Sequence, residues 1–278
     1  MARNFMELLK AQWTLKKFVC VGLDTDLAKF PEHLKSISDV SEMLLQFNRE
    51  IIFNTCSYAC AYKPNIAFYE AYGKDGRTAL KETIALIKLS APGVPIILDA
   101  KRADIGNTNI GYIKSAFEDY EADAITINPY FGQEAVKPFL DLENKGIIVL
   151  CRTSNPGANE FQDYGNPPLY QYVARKVAEE WNKNGNCLLV VGATYPEELR
   201  QVREIVGEMP ILIPGIGKQG GDLEKSILFG KNSHNQGIII NSSRDIIFAS
   251  NKPDFGFVAG QRTKELNDKI KTYLTMGA

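Results

Sequence analysis

The sequence predicts an α/β protein, a (β/α)8 barrel forming a single domain over residues 1–278, and three observations support this prediction. Eight short apolar runs alternate with segments of helical periodicity, which is the strand count of such a barrel. The length of 278 residues is close to the roughly 250 that this barrel uses. No Pro/Gly/Ser-rich linker and no break in charge divides the chain. An open doubly wound sheet is the alternative that the pattern leaves open.

The eight predicted strands are continuous apolar runs rather than alternations of polar and apolar residues. This pattern is typical of parallel strands that are covered on both faces. In chain order the strands span residues 18–23, 58–62, 94–98, 124–127, 146–150, 187–191, 210–213 and 237–240.

Helical periodicity fills the segments around these strands. The segment 41–53 places Met43, Phe47 and Ile51 on one face, and Ser41 is a suitable N-cap. The segment 196–206 begins with proline, which fits the first turn of a helix. The other predicted helices span residues 79–89, 112–120, 134–144, 169–182, 222–229 and 261–274, and a short N-terminal helix at 4–15 precedes strand one.

Composition and charge exclude several classes of protein. The net charge of -1 gives no electrostatic reason to bind nucleic acid or an anionic membrane. No apolar run approaches the roughly 18 residues of a membrane span, and the first ten residues lack the apolar region of a signal peptide. We therefore expect a cytoplasmic protein. Five widely spread cysteines, at positions 20, 56, 60, 151 and 187, are an odd number and indicate buried free thiols rather than disulfides.

Polar residues follow all eight predicted strands, at the barrel end that carries chemistry in this fold. The sharpest of these segments contains Asp99, Lys101 and Asp104. Alternate residues of a strand share a face, so Asp99 and Lys101 should point together into the barrel mouth, with Asp104 in the turn beyond. The carboxylates would keep the lysine protonated, and Lys63 at the end of strand two would add a second ammonium group. A structural ion pair, a solvated helix start and a loop lysine are the alternatives.

The segment after strand seven is rich in glycine and contains G-x-G-x-x-G at Gly215, Gly217 and Gly220. A dinucleotide site is rejected, because the motif does not open the fold and no acidic residue closes a strand about 20 residues later. The loops after strands seven and eight of a barrel usually bind phosphate. Glycine amides and Gln219 would donate to it, and Arg244 after strand eight would supply a guanidinium group. A plain glycine turn and a surface arginine are the alternative.

The segment after strand five runs from Cys151 to Pro168 and is mostly polar. Ser154 and neighbouring backbone groups are suited to hydrogen-bond the amide edge of a heteroaromatic ring, and the stretch is long enough to act as a lid. A disordered connection is the alternative.

The sequence lacks the motifs of several other kinds of catalytic or binding site. The two histidines, His33 and His234, belong to no zinc-binding pattern, and neither a nucleophile elbow nor a G-x-x-x-x-G-K-[ST] loop is present. Asp24 and Asp26 have a spacing that could hold Mg²⁺, but such a pair more often caps a strand end. We therefore expect no metal site.

These residues resemble the orotidine 5′-phosphate decarboxylase family. The run Asp-Ala-Lys-Arg-Ala-Asp-Ile-Gly-Asn-Thr at 99–108 is similar to the family signature. Six further segments are similar to the longer, bacterial-type subfamily, and the resemblance runs from about residue 3 to about residue 250. They are Val-Gly-Leu-Asp (21–24), Tyr-Lys-Pro-Asn (62–65), Asn-Pro-Tyr-Phe-Gly (128–132), Cys-Arg-Thr-Ser-Asn-Pro-Gly (151–157), Val-Gly-Ala-Thr-Tyr-Pro (191–196) and Pro-Gly-Ile-Gly-Lys-Gln-Gly-Gly (214–221).

The resemblance implies a homodimeric barrel that converts orotidine 5′-phosphate to uridine 5′-phosphate and CO₂ in de novo pyrimidine biosynthesis, without metal or cofactor. It implies a charged network of Lys63, Asp99, Lys101 and Asp104, in which Lys101 protonates C6 of the pyrimidine. Asp104 would come from the other subunit, so the two active sites would be shared.

The resemblance also implies the remaining contacts to the nucleotide. Asp24 and Lys63 would hold the ribose, Ser154 the edge of the base, and Ile105 and Thr108 would reach across the dimer. The implied phosphate ligands are Gly217, Gln219 and Arg244.

Two rival functions stay open at this point. Sugar-phosphate decarboxylases and aldol-type synthases that resemble this family share the Asp-x-Lys-x-x-Asp core but use Mg²⁺. A non-catalytic nucleotide-binding barrel is the rival from another class, although a pure binder gains nothing from crowding like charges.

Overall fold

The computed structural model describes residues 3–217 and 220–276. Eight parallel strands form one sheet in the order β2-β1-β8-β7-β6-β5-β4-β3, in which neighbours in the chain are neighbours in space. Isolated bridges from Tyr62 to Ile96 and from Asn65 to Asp99 join β2 to β3 and close the ring. The predicted (β/α)8 barrel is thereby confirmed, and the open doubly wound sheet is excluded. The strands are β1 Val19–Leu23, β2 Ala59–Pro64, β3 Ile97–Arg102, β4 Ala124–Ile127, β5 Gly146–Arg152, β6 Cys187–Val191, β7 Ile211–Ile213 and β8 Ile238–Ser242.

Helices surround the barrel because the longer ones, such as α3 and α5, each carry an apolar face that is buried against the rest of the fold. The longest helices pack on one another as well as on the sheet. The helices are α1 Phe5–Thr14, α2 Glu32–Lys35, α3 Val40–Thr55, α4 Ile66–Glu70, α5 Gly73–Ser90, α6 Gly106–Ile113, α7 Gly132–Leu140, α8 Asn159–Gln162, α9 Leu169–Lys176, α10 Pro196–Val206, α11 Leu223–Gly230, α12 Arg244–Ile247 and α13 Phe255–Met276.

Helix α1 closes the barrel at the amino-terminal ends of the strands. The indole Nε1 of Trp13 donates to the carbonyl oxygen of Ile238 at 3.0 Å, at the start of β8. The ring of Phe5 lies so close to Gly146 at the start of β5 that a Cβ on this glycine would be 2.4 Å from the ring. The opposite, carboxyl end of the barrel is left for the loops that carry the functional residues.

Several boundaries differ from the sequence prediction, and two of these differences have a clear physical reason. Strand β3 does not end at residue 98 but continues through Asp99 and Lys101, because ion pairs and hydrogen bonds satisfy these polar groups inside the barrel. Helix α3 is capped by Asp39 and not by Ser41: the Asp39 carboxylate accepts from Glu42 N at 2.9 Å, and so the helix begins one residue before Ser41.

The predicted helices 112–120 and 169–182 are each divided. Helices α6 and α9 continue as π-helical turns over Lys114–Asp119 and Val177–Trp181. The connection after β5 contains a 3₁₀ turn, Pro156–Ala158, followed by α8, and so the disordered alternative is wrong.

Several smaller predictions can be compared with the structure. Asp26 caps the 3₁₀ turn Leu27–Lys29 by accepting from Ala28 N at 3.1 Å, in agreement with a strand-end cap. All five cysteines are free, and four of them are buried while Cys56 is half-buried. Within residues 3–217 and 220–276, no helix combines the length and the apolar character that a membrane crossing requires.

Candidate active site

Two adjoining cavities open among the carboxyl ends of the strands. The smaller has a volume of about 150 Å³ and lies against the loops after β7 and β8, where Arg244 and Gly215 line it. The larger, of about 450 Å³, has an apolar wall formed by Leu150, Val190 and Leu212. Lys63, Asp99, Ser154 and Pro214 line both cavities, and so the two form one continuous site with a polar and an apolar part.

One carboxylate at the junction of the cavities holds two lysines. Asp99 Oδ2 accepts from Lys63 Nζ at 2.8 Å, and Asp99 Oδ1 accepts from Lys101 Nζ at 2.7 Å. Lys63 and Asp99 are buried, whereas half of the Lys101 side chain is exposed to the larger cavity. The expectation that Asp99, Lys63 and Lys101 meet in the barrel mouth is confirmed.

The ion pairs set the charge of the buried members. Burial would raise the pKa of Asp99, but the charges of Lys63 and Lys101 and their hydrogen bonds outweigh it and lower that pKa well below its ordinary value. Burial would likewise lower the pKa of Lys63, but the negative charges of Asp99 and Asp24 raise it above its ordinary value. Both groups are therefore charged at neutral pH.

The backbone at the end of β3 is unusual. Lys101 has a φ of 47°, in the left-handed region that L residues with side chains seldom adopt, and Ala103 has a φ of 122°. Regular strand alternation therefore does not explain why Asp99 and Lys101 meet. The hydroxyl of Thr126 on β4 accepts from Ala100 N at 3.0 Å and Lys101 N at 2.9 Å, and it donates to Asp99 Oδ1 at 2.9 Å.

The predicted phosphate segments lie beside the smaller cavity. Arg244 follows β8 and lines this cavity, as do Gly215 and Ile216 after β7. Gly217 has a φ of +89°, and a Cβ there would lie 1.6 Å from Asp245 Oδ2, so only glycine fits this turn. Gln219 lies outside the described residues.

Two buried oxygens in the smaller cavity mark a position for hydrogen-bond donors. Asp24 Oδ1 and Asn241 Oδ1 are buried, and neither has a hydrogen-bond partner in the part of the chain that the structure describes. Both residues line the smaller cavity. Since buried polar groups are nearly always hydrogen-bonded, ligand hydroxyl groups are the natural partners here.

The loop after β5 forms part of the wall of the larger cavity, which Thr153, Ser154, Asn155 and Gln162 line. Gln162 Oε1 accepts from Thr153 N at 2.8 Å, and Gln162 Nε2 donates to Thr153 Oγ1 at 2.8 Å. Behind this wall, the buried guanidinium of Arg152 lies 3.7 Å from the centroid of the Tyr195 ring, and its Nη2 donates to Asp163 Oδ2 at 3.2 Å. These contacts tie the loop that carries Ser154 to the body of the barrel.

Three predicted residues lie apart from these contacts. Asp104 Oδ1 accepts from the amide of Ile105 at 2.7 Å, and 58% of Ile105 is exposed. Thr108 lies in α6 and lines a separate groove beside Arg102. Among the described residues of a single chain, none of the three lines either of the two cavities.

Sequence reasoning missed Thr126, Arg152 and Gln162. A signal was present for Thr126, which is the polar residue inside the apolar strand Ala124–Ile127. Arg152 lies within the motif at 151–157, but nothing in the sequence indicates that its guanidinium is buried, and Gln162 has no signal because its role depends on the fold of the loop.

A (β/α)8 barrel that holds two lysines on one carboxylate at its strand ends, next to an arginine-lined cavity, has the architecture of a barrel enzyme with a site suited to an anionic group. The model of the "Orotidine 5′-phosphate decarboxylase / HUMPS family" matches residues 17–254. The chain belongs to this family, as the sequence motifs predicted.

Individual relatives agree with this assignment. The chain is 47% identical to an orotidine 5′-phosphate decarboxylase of Janthinobacterium sp. (strain Marseille) over 98% of this chain and 99% of the relative. It is 46% identical to one of Azoarcus sp. (strain BH72), over 97% and 99%. The solved structure of Leishmania donovani OMP decarboxylase superposes with a TM-score of 0.85 at 35% identity, covering 98% of this chain and 99% of that one. The prediction of an enzyme of this family is therefore confirmed.

Proposed function

We propose that the chain decarboxylates orotidine 5′-phosphate to uridine 5′-phosphate in pyrimidine biosynthesis, in the cytoplasm, with Lys101 as the proton donor to C6. The observation that carries the proposal is the Asp99 carboxylate, which holds the ammonium groups of Lys63 and Lys101 at 2.8 and 2.7 Å beside the two cavities. Family membership and the names of the relatives support the choice of substrate.

The chemistry needs a cation next to one carbon. When the bond between C6 and the carboxylate breaks, CO₂ leaves and the electron pair stays on C6, where resonance stabilises it poorly. The Lys101 ammonium stabilises this charge and transfers its proton to C6, and the neutral amine then takes a proton from water. Asp99 keeps the ammonium at this place through their 2.7 Å contact.

Stabilisation of the transition state is the main contribution in this proposal. A carboxylate placed against the substrate carboxylate would repel it, but two charges about 4 Å apart interact by only about 4 kcal/mol at an effective dielectric constant near 20. Enzymes lower barriers by roughly 8–23 kcal/mol. Repulsion in the ground state is therefore too small to account for catalysis.

The rest of the nucleotide fits the two cavities. The phosphate group binds near Arg244, with the glycine-rich loop of Gly217 and Gln219 as further ligands. The ribose hydroxyls donate to Asp24, whose Oδ1 is buried and has no hydrogen-bond partner among the described residues, with Lys63 beside it. The base lies in the larger cavity, where Ser154 contacts its amide edge.

The proposal includes a homodimer with shared active sites. Asp104, Ile105 and Thr108 would complete the site of the partner subunit. Exposed apolar side chains lie in the segments that follow β3, β4 and β5, and a second copy of the chain would bury them. They include Ile105 (58% exposed), Ile110 (44%), Tyr130 (87%), Phe131 (51%), Phe161 (70%) and Tyr164 (81%).

An absorbance assay tests the proposed reaction. Purified protein with EDTA is expected to consume orotidine 5′-phosphate, which a Mg²⁺-dependent mechanism would not allow. Lys101→Ala should abolish turnover but retain binding of uridine 5′-phosphate, whereas Lys81→Ala, at an exposed ion pair with Asp119, should behave as the parent. A Lys101→Ala enzyme with a nearly normal rate would contradict the role of Lys101.

A second experiment tests the shared site. Lys101→Ala and Asp104→Ala protomers should each be inactive alone, and a mixture should recover activity, because one site of each mixed dimer is intact. Confirmed exchange of subunits without recovery would contradict the shared arrangement.

A further inference from the structure

We propose that Thr126 is a positioning residue that holds Lys101 in the conformation required for proton transfer. This inference rests on the proposed function of Lys101 and extends it to a residue that does not itself donate the proton. Thr126 lies in β4, next to β3, and is buried.

The Thr126 hydroxyl uses its full hydrogen-bonding capacity. A hydroxyl has one donor and two acceptor positions. Here the oxygen accepts from Ala100 N at 3.0 Å and from Lys101 N at 2.9 Å, and the proton goes to Asp99 Oδ1 at 2.9 Å. One side chain therefore contacts three consecutive residues at the end of β3.

The two amide contacts hold a conformation that the chain would not adopt by itself. Lys101 has a φ of 47°, and such a backbone persists only where its surroundings stabilise it. Without the hydroxyl, the amides of Ala100 and Lys101 lose their acceptor at a buried position. The backbone would then relax, and the Cα–Cβ bond of Lys101 would point in a different direction.

The third contact fixes the carboxylate that holds the ammonium group. Asp99 Oδ1 receives both the Thr126 hydroxyl and Lys101 Nζ, while Asp99 Oδ2 receives Lys63 Nζ. Rotation of the carboxylate would move the acceptor of Lys101. Because half of the Lys101 side chain is exposed, its position depends on this acceptor and on its backbone. The Thr126 hydroxyl is hydrogen-bonded to both the acceptor, Asp99, and the backbone amide of Lys101.

A pair of variants tests the proposal by kinetics. Thr126→Val keeps the branched shape and removes the hydroxyl, whereas Thr126→Ser keeps the hydroxyl. Loss of these hydrogen bonds is expected to lower kcat at least about tenfold in Thr126→Val, with KM and the affinity for uridine 5′-phosphate within about threefold of the parent. Thr126→Ser should retain kcat within about threefold. Thr263→Val is the matched control, since this buried hydroxyl donates to Ala259 O within α13 and, in the part of the chain that the structure describes, lines neither cavity of the site.

Crystal structures of the variants give a readout that does not depend on turnover. In Thr126→Val, Lys101 is expected to leave its left-handed conformation or to lose its contact with Asp99, and in Thr126→Ser both should persist. An unchanged kcat in Thr126→Val, equal losses in Thr126→Val and Thr126→Ser, or an unmoved Lys101 would each overturn the proposal. If Thr126→Val does not fold, Thr126→Ala takes its place in the same comparison with Thr126→Ser. A parent enzyme that does not consume orotidine 5′-phosphate would instead overturn the proposed function, and the structures would still decide the role of Thr126.

Discussion

Replacing Asp99 by asparagine separates the charge at the centre of the site from its shape. The amide has almost the size of the carboxylate, and its oxygen can still accept a hydrogen bond. The substitution removes the negative charge 2.8 Å from Lys63 Nζ, and only 5% of the Lys63 side chain is exposed. A buried ammonium group therefore loses the anion that it contacts.

The expected cost follows from this distance and burial. Charges 2.8 Å apart attract by about 6 kcal/mol at an effective dielectric constant near 20. Part of this loss is recovered when Lys63 gives up its proton, and breaking a buried pair by removing one partner typically costs about 3–5 kcal/mol. We expect the free energy of unfolding of Asp99→Asn to fall by about 3–5 kcal/mol. Turnover should be lost as well, because Lys101 loses the same anion.

The direction in which stability changes with pH is a second test of the same reasoning. In the parent, the pKa of Lys63 is raised in the folded state, so its contribution is present below the ordinary lysine pKa and is lost as the pH rises through the folded value. In Asp99→Asn, burial outweighs the remaining charge of Asp24 and lowers the pKa of Lys63. The unfolded state then binds more protons, and stability should rise from pH 8 to 10.

Urea denaturation of both proteins across this pH range measures the effect. Asp26→Asn is the control, because Asp26 forms an exposed ion pair with Lys29 and an asparagine still caps the turn. This control should lose less than about 1 kcal/mol. The reasoning would be refuted if Asp99→Asn lost no more than Asp26→Asn, or if its stability did not rise with pH.

Three further predictions concern the loops of the site. Gly217→Ala should raise KM at least about tenfold and lower the free energy of unfolding by about 1–3 kcal/mol, because its φ is +89° and its Cβ would strike Asp245; steady-state kinetics and thermal unfolding measure this. Gly192→Ala should weaken binding of uridine 5′-phosphate in titration calorimetry, because its Cβ would lie 2.7 Å from the loop after β5. Asp163→Ala should destabilise the protein in urea by about 2–4 kcal/mol, more than Arg152→Met, because it leaves a buried guanidinium unpaired while the reverse change leaves a part-exposed carboxylate. A larger loss for Arg152→Met would contradict this last order.

The fold could be predicted from the sequence because burial on both faces makes each strand of a parallel barrel a continuous apolar run. The same rule misplaces the end of β3, because it takes the end of an apolar run as the end of a strand. Asp99 and Lys101 interrupt the apolar run, so the pattern ends at residue 98, whereas the strand continues to Arg102. The misplaced boundary lies at the chemical centre of the protein, where ion pairs replace apolar packing.

The members of the site could be predicted, but the reason for their arrangement could not. The position of Lys63, Asp99 and Arg244 at strand ends indicates that they meet, since parallel strands present their carboxyl ends to one side. The left-handed backbone of Lys101 and the three hydrogen bonds of Thr126 have no counterpart in local sequence. They depend on β3 and β4 lying side by side in the sheet, a tertiary pairing that the local sequence does not show.

Asp104 is separate from the rest of the expected site in the structure of a single chain. Asp104 points its Oδ1 at the amide of Ile105, and the apolar side chain of Ile105 is exposed, which costs free energy unless another surface covers it. Both features have one common explanation if this turn belongs to the cavity of a second copy. The sequence motif that suggests four charged groups in one site is then correct for the dimer and incomplete for the protomer, and the mixed-protomer experiment decides between these two descriptions.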